Sequence, residues 1–179
     1  MTTTERNEAI ALHKSDCTSG NPALYVGTYR KYNNGSLSGA WIDLTTFADE
    51  DEFYAFCKDV LHADEEDPEL MFQDYENIPD TLYSECGGVS AIYEWLNYSE
   101  DERDIIEEYW DEVDAQASPD DILDRLVYEG DFDDFAEEQA EEMLACSNAD
   151  DFLRRYFDYK SFANDLSYDY NVTTHYVFC

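Results

Sequence analysis

The sequence predicts an α+β protein built from small units, and three observations carry that reading. First, two runs rich in β-branched and aromatic residues, Ala23–Tyr29 and Leu37–Leu44, flank an Asn-Asn-Gly turn. Second, an apolar helical period over Ala48–His62 and another strand-like run, Leu70–Tyr75, complete a β-β-α-β order. Third, from Ser84 onward the period is helical until a last strand-like run, Asn171–Phe178. The division that follows has four parts. Residues 1–21 are a flexible extension, 22–82 an N-terminal α+β domain, 83–127 a central acidic helical domain, and 128–179 a C-terminal domain of helix and strand.

Each element has a local reason. The lead-in to Asn21 is polar, with only a weak helical pattern over Glu5–Leu12. Gly27 and Gly39, inside strand-like runs, mark a bulge or a close backbone approach. Thr46 is the expected cap of the helix that follows, and Asp49, Glu50, Asp51 and Glu52 suit the positive end of its dipole. Phe53, Phe56, Cys57, Val60 and Leu61 recur on one face of it. Ile78-Pro79-Asp80 starts a turn and a boundary. Ser90–Asn97 carries Ile92, Trp95 and Leu96 on one face. Ser99 and Glu102 form a capping box, opening a helix whose apolar face is Ile105, Ile106, Tyr109, Trp110 and Val113. Ser118-Pro119 opens another, with Ile122, Leu123, Leu126 and Val127 behind it. Gly130 interrupts the chain. Asp131 caps a helix showing Phe132, Phe135, Ala136, Ala140, Met143 and Leu144, and Asn148 is expected to cap the next. Asp158–Leu166 reads as helix or turn.

Charge sets the functional question. The formal net charge is −34 over 179 residues, yet aromatics make up 16%, which disordered acidic chains lack. Such self-repulsion opposes compaction, and an elongated shape spreads it. The sign excludes direct binding to nucleic acid or to an anionic membrane and points to a basic partner. A uniformly acidic, salt-adapted surface fits less well, because Arg6, Lys14, Arg30, Lys31 and Lys58 fall in the first third. Between Glu100 and Glu142 stand 20 Asp and Glu against Arg103 and Arg125. On helices that stretch spans about 65 Å. One carboxylate then falls every ~3.2 Å, against ~3.4 Å per phosphate along one DNA strand. The candidate surface is Glu100, Asp101, Glu102, Asp104, Glu107, Glu108, Asp111, Glu112, Asp114, Asp120, Asp121, Asp124, Asp131, Asp133, Asp134, Glu137, Glu138, Glu141 and Glu142. A solvated face would mix both signs; this stretch carries one sign almost exclusively.

Catalytic and metal signatures do not match. His13, His62 and His175 are far apart, and no Walker loop, Rossmann fingerprint, zinc spacing or nucleophile elbow occurs. Asp131–Glu142 fails as a calcium loop, with Phe135 where a ligand and Ala136 where glycine is needed. We read the chain as non-enzymatic, with no cofactor and no metal. Cys17, Cys57, Cys86, Cys146 and Cys179 form no Cys-x-x-Cys pair and read as free thiols in a reducing compartment. With no signal-like or membrane-spanning apolar run, a cytoplasmic location is expected.

Three segments carry a resemblance. ALYVGTYRKYNNGSLSGAWIDL (Ala23–Leu44), DPELMFQDYE (Asp67–Glu76) and YFDYKSFANDL (Tyr156–Leu166) resemble the ArdA family of antirestriction proteins. The likeness runs from about Pro22 to Phe178; the start, Met1–Asn21, is an addition. It implies a protein of mobile DNA that occupies the DNA-binding groove of type I restriction–modification enzymes. It also implies three small domains in a row, and a dimer whose curved rod imitates bent B-DNA. The family's antirestriction motif corresponds to about Glu141–Leu166. Independently of the family, Phe152, Leu153, Tyr156 and Phe157 form an apolar face in the least acidic part, beside Arg154, Arg155 and Lys160, and are the candidate dimer interface. Two alternatives remain at this point: an acidic adaptor for some other basic DNA-binding protein, and a small acidic enzyme or metal buffer.

Overall fold

An antiparallel three-stranded sheet, in the order β2-β1-β3, organises the first half of the chain. The computed structural model describes residues 2–147 and 149–179 and is mixed α and β. Its internal contacts separate two units, Met1–Tyr98 and Ser99–Cys179.

In the first unit, α1 (Thr3–His13) occupies the polar lead-in, where the sequence suggests a flexible extension with little helix. Its Thr2/Glu5 capping box is local, but the contacts that hold it are to distant residues. β1 (Ala23–Thr28) follows, then a one-turn helix α2 (Tyr29–Asn33) in place of the expected plain turn. Thr28 caps α2 by accepting the Lys31 N–H at 3.2 Å, and Gly35, at φ +77, turns the chain out of it. β2 (Ala40–Asp43) therefore starts three residues later than the hydrophobic run suggests. β1 and β2 pair antiparallel, with Tyr25 opposite Trp41 and their rings edge-to-face at 5.6 Å. Gly39 is the close approach read from the sequence: a Cβ there would collide with the carbonyl of Val26.

Thr46 is not a helix cap. It ends a short turn, Leu44–Thr46, and its hydroxyl donates to the Asp43 carbonyl at 2.7 Å. Asp49 instead caps α3 (Glu50–Phe56), accepting the Glu52 N–H at 2.9 Å. α3 widens into an i→i+5 turn over Cys57–Leu61, closed by the His62 N–H on the Cys57 carbonyl at 3.0 Å. β3 (Leu70–Glu76) completes the sheet against β1, with a bulge between Tyr25 and Val26. α4 (Ser90–Leu96) buries Ile92 and Trp95. The core gathers Leu24, Val26, Ile42, Leu44 and Phe53, all fully buried. His62 is buried with them. Lys31 Nζ donates to its Nδ1 at 3.0 Å, so its Nε2 donates to the Val26 carbonyl at 3.3 Å. Burial and the Lys31 charge hold this imidazole below its ordinary pKa and keep it neutral.

The second unit contains α5 (Glu100–Glu112), α6 (Pro119–Arg125), β4 (Leu126–Glu129), α7 (Phe132–Cys146), α8 (Asp151–Arg154), α9 (Tyr159–Leu166), β5 (Asn171–Val172) and β6 (Tyr176–Phe178). Leu126 and Val127 are strand, not the end of the preceding helix: β4 pairs with β6, and β6 lies between β4 and β5. The expected boundary after residue 127 thus falls inside a strand. The terminal run is a hairpin rather than one strand, because Thr173 turns it: Tyr176 N–H donates to the Thr173 hydroxyl at 3.1 Å and Thr173 N–H to the Tyr176 carbonyl at 3.0 Å. The helix cap expected at Asn148 lies outside the described residues; Asp150 caps α8. Ile106, Ile122, Ala140, Val177 and Phe178 form the buried centre.

Candidate functional site

The acidic surface is built on three helices whose other faces are anchored. On α5 the capping box forms as expected, with the Ser99 N–H on the Glu102 carboxylate at 2.8 Å. Those bonds hold the Glu102 carboxyl below its ordinary value. Ile105, Ile106, Tyr109 and Trp110 are buried, while Val113, expected on the same face, is exposed past the helix end. Trp110 Nε1 donates to the Ala117 carbonyl at 2.8 Å and fixes the bend into α6. α6 has Pro119 at its first position and Ile122 as its buried anchor. On α7, Asp131 accepts the Asp133 N–H at 2.7 Å, and Phe135, Ala136, Ala140 and Leu144 turn inward.

With those faces buried, the carboxylates turn outward. Every acid of the candidate surface is exposed except Glu102, Glu107 and Glu108, which are half-buried. On α7 they recur as adjacent pairs, Asp133–Asp134, Glu137–Glu138 and Glu141–Glu142, one pair per turn and about 5.4 Å apart along the axis, and on α5 they are at least as dense. Neighbouring unit charges at that distance repel by about 0.8 kcal/mol in bulk water. The helix dipole adds to the cost. Asp111 and Glu112 end α5, Glu141 and Glu142 sit near the end of α7, and neither helix has a basic residue in its last turn. A carboxylate there faces the negative end of the dipole. At these four positions the dipole opposes helix stability, whereas the acids in the first turns of α5, α6 and α7 gain from it. Asp134, Glu137, Glu138 and Glu141, with Tyr128, also line an open hollow of about 370 Å³. Burial, and then the Glu138 carboxylate, push the Tyr128 phenol up.

Some acids have internal work that the sequence does not reveal. Glu108 accepts the His175 N–H at 2.7 Å and pairs with its Nδ1 at 2.8 Å. Glu112 accepts the Thr174 N–H at 3.0 Å and its hydroxyl at 2.8 Å. Together they hook the β5–β6 turn onto α5. Glu141 pairs with Arg154 and accepts from the Tyr159 hydroxyl, tying α7 to the segment after it. Glu107 is held above its ordinary pKa by burial and then by Asp104. Glu108, Glu112 and Glu141 are therefore structural as well as acidic.

Glu108 and His175 give the hook a pH dependence. Hydrogen bonding to Glu108 and its charge raise His175 above its ordinary 6.5. Burial pushes Glu108 up, but hydrogen bonding from Thr173 and His175 outweighs it and leaves the carboxyl below its ordinary 4.5. The histidine contribution is complete below pH 6.5 and is lost as pH rises through its raised pKa. The glutamate contribution is complete above pH 4.5 and is lost as pH falls through its lowered pKa. The hook is fully charged between those two values. An NMR titration should give a His175 midpoint above 6.5, moving down toward the ordinary value in Glu108→Gln, where Glu112 remains as a smaller raising charge. An unmoved midpoint in the variant would contradict the pairing.

Of the apolar group read as a dimer interface, Phe152, Leu153 and Tyr156 are exposed by 65, 58 and 75%. Phe152 and Tyr156 sit 5.0 Å apart, centroid to centroid. Phe157 turns away, half-buried against Tyr159 at 4.9 Å and Phe162 at 5.6 Å. Among the described residues, no three His, Cys, Asp or Glu side chains gather as a metal site requires, and no helix is long and apolar enough to cross a membrane.

Taken together, the fold and the acidic helices define a class: an α+β protein with a predominantly carboxylate surface on α5, α6 and α7. A protein-family model described as "Antirestriction protein (ArdA)" matches residues 24–178, most of the chain. The chain belongs to the ArdA family of antirestriction proteins. No curated protein matches it.

Proposed function

We propose that this protein blocks type I restriction–modification enzymes by occupying their DNA-binding groove with its own carboxylates in place of phosphates. It thereby protects incoming mobile DNA in the cytoplasm, as a stoichiometric inhibitor and not an enzyme. The observation that carries this is the placement of acids on α5, α6 and α7. Most are exposed and recur with the helical turn, and Asp111 and Glu142 stand near helix C-terminal ends where the dipole disfavours them. A partner that binds DNA offers compensating cations in the same distributed arrangement. The elongated row of three domains implied by the family belongs to this proposal. The direct test is competition between the protein and a DNA duplex for a purified type I methyltransferase core. Displacement of the duplex supports the reading. No displacement, with binding to an unrelated basic DNA-binding protein instead, would favour a general acidic adaptor.

The same reading includes a homodimer through the C-terminal part. Two copies of net charge −34 can approach only where charge is locally low. The exposed Phe152, Leu153 and Tyr156, beside Arg154, Arg155 and Lys160, make such a place. Phe152→Asp with Tyr156→Asp should convert a dimer to a monomer in sedimentation at micromolar concentration and moderate salt. A parent chain that is already monomeric there would remove this part of the proposal.

A further inference from the structure

The N-terminal residues lie outside the stretch that matches the family, which begins at residue 24, yet they are tied to the first sheet at several points. Arg6 donates to the carbonyls of Val60 at 2.8 Å and Leu61 at 2.6 Å, and pairs with Asp64 at 3.2 Å. It thus satisfies the open carbonyls at the end of the α3 turn. His13 stacks on Phe47 at 4.3 Å, and its Nδ1 bonds the Thr46 hydroxyl at 2.8 Å. Beyond α1 the chain runs beside β2. Lys14 bridges antiparallel to Ile42, and Ser15 N–H donates to the Trp41 carbonyl at 3.0 Å. β2 is an edge strand, so these residues cover its outer side.

α1 itself buries no residue, so the arm is held by polar bonds and by the His13 ring, which meets Phe47 at 4.3 Å and Phe56 at 4.6 Å, rather than by a core of its own. Such a segment opens locally at low cost. What it covers is suited to another strand. An uncovered sheet edge is a template for pairing. In a chain of net charge −34, the stretch Tyr32–Ile42 carries no charged side chain, and Leu37 and Tyr32 within it are exposed. Asp43, the last residue of β2, is buried and accepts from Asn21 and Thr45, so charge does not bar a second copy at this edge, and like edges pair antiparallel about a two-fold axis.

We propose that residues 2–15 guard a strand-pairing surface on the outer edge of β2, and that the surface takes the same edge of a second copy when the guard lifts. This does not rest on the restriction-enzyme reading or on the apolar patch near Tyr156. The test uses the full chain carrying Arg6→Ala, His13→Ala and Ser15→Pro, with Arg6→Ala alone as a milder release. Protease cleavage within residues 16–21 should rise about tenfold, since cleavage tracks the opened population. Sedimentation should show a mass above the parent's that grows with concentration. A synthetic peptide of residues 2–21 should return it to the parent mass, and the same peptide with Arg6→Ala should not. Unchanged cleavage in both variants would mean that these bonds do not hold the arm. Faster cleavage without extra mass, or extra mass that the peptide leaves in place, would show that the edge is not the pairing surface. Each of these results overturns the proposal.

Discussion

Replacing Asp133, Asp134, Glu137 and Glu138 together by their amides should weaken binding to a type I methyltransferase core by roughly thirty- to a thousandfold, about 2–4 kcal/mol. All four are exposed on α7. Exposed ion pairs contribute ~0–1 kcal/mol each, so any one amide should cost less than about tenfold. The dependence of affinity on salt should flatten in step, because each lost carboxylate is one fewer charge to pair with the partner. A matching block on α5 must be chosen by structure rather than by spacing. Glu108 and Glu112 hold the β5–β6 turn, so their amides would disturb folding as well as charge. Asp101, Asp104 and Asp111 make no such bond to that turn and form the cleaner set. Circular dichroism of each variant separates loss of charge from loss of fold. A single amide that abolished binding while its neighbours did nothing would reveal a localised hot spot. The phosphate-mimic mechanism would then be wrong.

That choice shows where sequence reasoning stops. Local rules located what is locally determined. The Ser99/Glu102 box, the Asp131 cap, the buried face of α5 and the β1–β2 pairing all follow from residues close together in the chain. What escaped depends on distant partners. Leu126 and Val127 fit a helical period as well as a strand, and pairing with β6 decides between them. α1 has almost no apolar face, and the Arg6 contacts that fix it lie more than fifty residues away. Thr46 looks like a cap, but its hydroxyl is taken by Asp43. The acidic surface was legible as composition and as helical spacing. Its division was not, since nothing near Glu108 or Glu112 announces that Thr174 and His175 return to them.

The second large effect is expected from a residue that carries no charge. Phe178 is fully buried on β6, opposite Leu126 of β4 and Asn171 of β5. Its ring meets Tyr109 of α5 edge-to-face at 4.7 Å, and Tyr109 is itself buried. The terminal strand is thus the seat of the acidic helix. Truncating a buried phenylalanine costs about 3–5 kcal/mol, because the cavity it leaves refills only in part. A typical domain is stable by only about 5–15 kcal/mol. This unit also bears the mutual repulsion of its carboxylates, so its margin should be narrow. Phe178→Ala should therefore lower the urea midpoint sharply and release α5 from the sheet. Binding to the methyltransferase core should fall with it, although no carboxylate has been touched. Phe178→Leu, closer in volume and still apolar, should cost less than the alanine variant and keep most binding. The measurement is urea unfolding followed by far-ultraviolet circular dichroism, with binding assayed on the same samples. If Phe178→Ala unfolded like the parent and bound as tightly, α5 would be held by something other than this strand, and the β4-β6-β5 sheet would not be what seats it.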